Sequence, residues 1–237
     1  VGACVAFMRE HPRAGVIGGL IYPVFEDGRE RPGDFGEYAV YLAIRELGEE
    51  VFEYSLPGDF PPCGAGMTGP TALFRRILTE FPACLTGRKG NSLASGEDVE
   101  MGTIAMRLGY ESWYAPTLRL GHVLPARRLE KEYLEKLKAG CAEANVWIDY
   151  LAGRKQGGGW AGRWGHLGRG VLLGLRAAKL SVLEKLPRED RELLRWWRME
   201  SAAQGRTERF LFRRNPWPEV EELLRGTEFR MSESVSS

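Results

Sequence analysis

The chain has 237 residues, 43% of them hydrophobic and 27% charged, a balance that excludes a disordered or collagen-like polypeptide. Lys and Arg total 33 against 32 for Asp and Glu, and the formal net charge of +1 argues against a nucleic-acid binder working by bulk charge. No apolar run approaches the roughly 18 residues that a membrane-spanning helix needs, and the opening VGACVAFMREHP lacks the basic start of a secretory signal. The length suits one domain with an appendage, or two small domains. The four cysteines (4, 63, 84 and 141) contain no close pair, and with only three His in the chain they read as reduced thiols, mostly buried, rather than as a zinc cluster.

In chain order, Gly15 to Tyr22 is short and apolar and reads as a buried strand followed by Pro23. Apolar residues at 39, 40, 42, 43, 44 and 47 predict a helix over 35–47. Residues 61–67 form a turn-rich approach to a helix over about 70–79, with Pro70 at a first-turn position. Ser95 with Asp98 three residues on resembles a capping box, and Met101, Ile104, Ala105 and Leu108 continue it as an amphipathic helix. Gly109 stands at the stop of that helix, and Tyr110 to Ala115 reads as a strand ended by Pro116. Near residue 155 the composition changes to a glycine-rich joint and then to Arg-rich helical sequence. Between Arg163 and Arg214 there are 13 Lys or Arg and six Asp or Glu, a local charge of +7 hidden by the near-neutral total.

Glu97 and Asp98 fall in a first helical turn, where unpaired amide N–H groups favour a carboxylate. A carboxylate held there at the rim of a cleft is what a general base for an alcohol requires. It is also an ordinary helix-capping pattern. A 12-residue helix rises about 18 Å, and a six- or seven-residue strand returns about 20 Å. Asp98 and His122 are therefore expected on one rim. His122 is a candidate ligand for a divalent metal or donor to a diphosphate, and equally an ordinary histidine after a strand. Arg127 and Arg128 are candidates for phosphate oxygens, or a solvated pair.

Residues 63–137 resemble the second half of the catalytic domain of bacterial family 2 glycosyltransferases, which have the GT-A fold. The resemblance is carried by Gly64-Ala65-Gly66-Met67, Phe74-Arg75-Arg76, Gly87-Arg88-Lys89-Gly90 and Ser95-Gly96-Glu97-Asp98-Val99-Glu100. It continues through Gly109-Tyr110, Tyr114-Ala115-Pro116, His122, Leu124-Pro125 and Arg128-Leu129. Glu10-His11-Pro12 and Gly15 to Gly19 are similar, more loosely, to the helix end and strand that follow the nucleotide-binding half. The resemblance implies an α/β chain, an incomplete GT-A-like doubly wound domain over 1–140, with an α-helical extension over 141–237. It implies transfer of a sugar from a nucleotide-sugar donor to an acceptor hydroxyl with inversion, in bacterial glycan or polysaccharide biosynthesis. Asp98 would be the base and Glu97 its neighbour. Gly64, Ala65, Gly66, Arg127 and Arg128 would contact donor or acceptor, and His122 the metal. The family's divalent cation, Mg or Mn, is held by an Asp-x-Asp motif, and no Asp-x-Asp occurs in this sequence. With that motif and the nucleotide-binding strands expected upstream of Val1, this chain by itself is expected to turn over little. The other reading is a non-catalytic remnant that binds a glycan or a protein.

Residues 160–214 interleave Trp160, Trp164, Trp196, Trp197 and Phe210 with arginines. This pattern suits helices packed on the catalytic portion, or a peripheral contact with an anionic membrane surface, where lipid-linked acceptors would be found. The expected location is the cytoplasm, extending to the inner face of the cell membrane. No nucleic-acid motif is present.

Overall fold

The computed structural model describes residues 1–85, 96–155, 159–184, 191–214 and 216–234. The chain is mixed α/β, with three strands and seven α-helices among those residues. It begins with α1 (Gly2–Glu10) and β1 (Ala14–Phe25), followed by β2 (Phe52–Tyr54) and α2 (Thr71–Glu80). Next come α3 (Glu97–Arg107), β3 (Glu111–Leu124) and α4 (Lys131–Leu151). The chain then continues through α5 (Gly159–Leu183), α6 (Arg191–Arg214) and α7 (Trp217–Ser234). The sheet order is β1-β3-β2, with β1 parallel and β2 antiparallel to the central β3.

Successive side chains of β1 face opposite ways, as a pleated strand requires. Val16 enters the main core with Leu73, Ile77, Ile104 and Trp147, whereas Ile17 packs with Ala115 and the α1 residues Phe7 and Met8. The periodicity expected of α3 is present. Ile104, Ala105 and Leu108 are buried, and Gly109 follows with φ +84°.

Three expectations are corrected. Residues 35–47 form no α-helix: a single 3₁₀ turn spans Phe35–Glu37, and tight turns follow. Arg45 instead bridges Ile21 at the edge of β1, so Phe35, Leu42 and Ile44 are buried by a compact loop rather than along a helix face. Pro116 does not end β3. The register jumps from Gly19↔Ala115 to Leu20↔Arg119, so residues 116–118 bulge out of the ladder, which removes the need for the N–H that proline lacks. The bulge folds over Gly19, where a Cβ would stand 1.8 Å from the Leu118 carbonyl oxygen. The N-cap of α3 is Gly96 at φ +124°, with no side-chain cap bond, and Ser95 lies outside the described residues. The Gly87–Gly90 stretch lies outside them as well.

Residues 140 and 141 both lie within α4, which runs unbroken through the expected division. The main core that holds Val16 and Leu73 also holds Leu211, Trp217, Val220 and Leu224, so α6 and α7 share the interior of the sheet portion. α5 packs along α6, and α6 along α4. No described helix is long and apolar enough to cross a membrane.

Candidate functional site

The polypeptide reaches the site along two routes. The turn-rich segment before α2 carries Cys63, Gly64 and Ala65, and α3 starts opposite it with Glu97 and Asp98. One Asp98 carboxylate oxygen accepts a short hydrogen bond from the Gly64 N–H, and the other accepts from the Val99 N–H at 2.8 Å. Two main-chain donors, one of them in the first turn of α3, complement the negative charge of the carboxylate. A Cβ at Gly64 would stand 3.1 Å from Asp98 Oδ2, so a small residue at 64 is what lets the aspartate reach that amide. Glu97 is exposed and accepts from the Gly96 N–H at 2.9 Å.

Asp98 is half-buried on the wall of a cleft of about 1170 Å³. Glu97, Ala65, His122 and Arg128 line the same cleft, together with the aromatic residues Tyr41, Phe52, Tyr54 and Phe60. The helix-and-return geometry thus brings Asp98 and His122 to one cavity. Arg128 is drawn in by the 3₁₀ turn Ala126–Leu129, and its Nη1 lies 3.4 Å from His122 Nε2. A guanidinium only donates, so His122 Nε2 is the acceptor of that contact. Arg127 is exposed and does not line the cleft, and of the Gly64-Ala65-Gly66 stretch only Ala65 does. A second, more open depression of about 650 Å³ lies at Leu20, Tyr22, Glu46, Gly48, Glu49 and Arg119.

His122 is paired with a cation. Its Nε2 faces a cationic guanidinium, and no group of three or more His, Cys, Asp or Glu suited to a metal occurs among the described residues. Arg128, a donor-only guanidinium on the cleft wall, matches the oxygens of an anion better than a cation.

Two buried carboxylates, Glu100 and Glu208, are given no role by sequence reasoning. Glu100, two positions after Asp98, is 4% exposed and accepts from the amides of Cys84 and Leu85 at 3.1 and 3.0 Å and from Trp147 Nε1 at 2.6 Å. Burial pushes its carboxyl above the ordinary range, and these three donors pull it back. Burial beside Glu100 pushes the Cys84 thiol up to about 12. Glu208 lies deeper in the helical portion. It takes hydrogen bonds from His166 Nδ1 at 2.6 Å, Arg169 Nε at 3.1 Å and the Tyr150 hydroxyl at 3.1 Å. Trp217 Nε1, which can only donate, gives its proton to His166 Nε2 at 2.9 Å and so assigns the ring proton to Nδ1. Glu208 on α6, Tyr150 on α4 and the pair His166 and Arg169 on α5 come together only through helix packing, so beyond that i, i+3 pair the cluster leaves no spacing signature.

Comparison of the chain with protein-family models, with curated proteins and with solved structures returns no match.

Proposed function

We propose that the chain provides the acceptor-side portion of an inverting glycosyltransferase, with Asp98 as the general base. The observation that carries this reading is the half-buried Asp98 on the cleft wall, each oxygen engaged by one main-chain N–H. A carboxylate has about four lone-pair sites, so capacity remains to accept a hydroxyl proton. In the proposed step the acceptor hydroxyl gives its proton to Asp98 as its oxygen bonds to the anomeric carbon of the donor. The bond from that carbon to the nucleoside diphosphate breaks on the opposite face. Arg128, whose guanidinium rests against His122, sits where it can face phosphate oxygens, and Glu97 orients the acceptor. The cleft exceeds the roughly 300–1,000 Å³ of small-molecule pockets, and its four aromatic rings suit the apolar faces of a saccharide.

A divalent cation would neutralise the departing diphosphate, but His122, facing the Arg128 guanidinium, is a poor ligand for it. In a second reading the cleft binds a glycan without turning it over, a role that its four aromatic rings would serve equally. The test is sugar transfer from nucleotide-sugars, measured with this chain and with any sequence upstream of it in the reading frame. Asp98→Asn should lower transfer by about 10²–10⁴-fold while glycan binding persists. Turnover unaffected by Asp98→Asn would overturn the assignment, and saturable glycan binding without turnover in either form would establish the second reading.

A further inference from the structure

α5 is amphipathic in a way that the rest of the fold does not use. Its bundle side carries His166, Gly170 and Leu180, all buried, spaced to recur on one face of the helix. On the opposite face Val171, Leu172, Leu175 and Val182 stand out, with Leu172 66%, Leu175 63% and Val182 65% exposed. A run of such residues on one stripe is more than the scattered apolar surface of an ordinary monomer. Arg176 and Lys179 are exposed beside the stripe, and no Asp or Glu occurs between residues 159 and 183. Two acids of the neighbouring segments, Glu208 and Glu184, are turned to other partners. Glu208 is buried against His166 and Arg169, and Glu184 pairs with Arg198 at 2.6 Å.

We propose that this face of α5 docks on an anionic lipid surface, lying in the interface rather than crossing it. The charge pattern selects this occupant. A second copy of the chain would set Arg176 and Lys179 against the same two cations, which costs association energy rather than supplying it. A nucleic acid would meet four aliphatic side chains where phosphate contacts are needed. An anionic bilayer accepts both parts, with the aliphatic stripe at the acyl boundary and the cations among the headgroups. Four Lys or Arg within α5 preclude a spanning helix, in keeping with the absence of a membrane-crossing helix among the described residues. The inference rests on the α5 surface alone and stands apart from the reading of Asp98.

The experiment is co-sedimentation of the full chain with vesicles of phosphatidylcholine and with vesicles in which about one-third is phosphatidylglycerol. Wild type should bind the anionic vesicles at least tenfold more tightly, with binding that weakens as salt is raised. Arg176→Glu with Lys179→Glu should reduce that binding about tenfold or more. Leu172→Asn with Leu175→Asn should reduce it similarly, in the same salt. All four positions are exposed, so thermal melting checks that both double variants fold as wild type does. Asp98→Asn should leave vesicle binding unchanged. Absence of sedimentation with anionic vesicles overturns the proposal, as does binding that neither double variant alters. A dimer in sedimentation velocity that Leu172→Asn with Leu175→Asn dissociates would overturn it too, and assign the stripe to a protein contact.

Discussion

Asp98, at the start of α3, takes its hydrogen bonds from the main-chain amides of Gly64 and Val99. Glu208, inside the helical bundle, takes them from the side chains of Tyr150, His166 and Arg169. The first carboxylate is held by groups that cannot leave without unfolding α3 or the turn at Gly64, and it keeps a side open to the cleft. The second is 1% exposed, with its acceptor capacity consumed by donors from α4 and α5. A carboxylate anchored by backbone stays available for chemistry, whereas one enclosed by side chains works as a clasp between helices.

Substitutions at the two positions should separate these roles. Asp98→Asn should remove about 10²–10⁴-fold of transfer while leaving the urea midpoint close to that of wild type. Glu208→Ala should cost about 3–5 kcal/mol in urea unfolding, because Arg169 and His166 are left without their shared acceptor. If Asp98→Asn destabilises the fold as much as Glu208→Ala, the comparison fails. Gly64→Ala is a milder probe, since the new methyl must push Asp98 by a few tenths of an ångström. It should reduce transfer roughly tenfold without a matching loss of stability.

Glu100 sharpens the comparison from a third side, as a buried carboxylate that combines two main-chain donors with one indole. Its carboxyl lies above the ordinary value in the folded chain, so the native state holds this proton more firmly than the unfolded chain does. Its contribution to stability is therefore fully present below about pH 4.5 and declines as pH rises through the raised value. Glu100→Gln should lower stability by about 1–3 kcal/mol near that pH, where a buried donor is left facing an amide N–H₂. The variant should also lose less stability than wild type between there and neutrality, which urea titrations at several pH values would measure.

Much of the sheet portion could be read from local pattern. β1 is a short apolar run, α3 has an apolar face of helical period, and Gly109 ends it, all consequences of neighbours within a few positions. Asp98 and His122 line one cleft, but not by the lengths expected: β3 runs 14 residues through Pro116, not six or seven, and His122 lies inside it. The errors at 35–47 and at Pro116 have a common cause. In each, a partner distant in sequence decided the backbone: Ile21 drew Arg45 into a bridge, and a bulge over Gly19 absorbed the proline. The same holds for function. Glu97 and Asp98 announce themselves through a helix start, whereas Glu208 depends on His166, 42 residues away, and on Tyr150, 58 away. Composition correctly marks residues 163–214 as basic, but it cannot say which arginines face solvent and which, like Arg169, turn inward to a carboxylate.

The indoles of Trp147 and Trp217 stack with their centroids 4.5 Å apart and 19° between planes. Each N–H points away from the stack, Trp147 toward Glu100 under the cleft and Trp217 toward His166 in the bundle. Prising the bundle from the sheet portion would strand the Trp147 indole proton and wet the core that both rings share with Val16 and Leu73. The chain should therefore melt in one cooperative step, with the near-ultraviolet dichroism of the coupled indoles and the far-ultraviolet helix signal disappearing together.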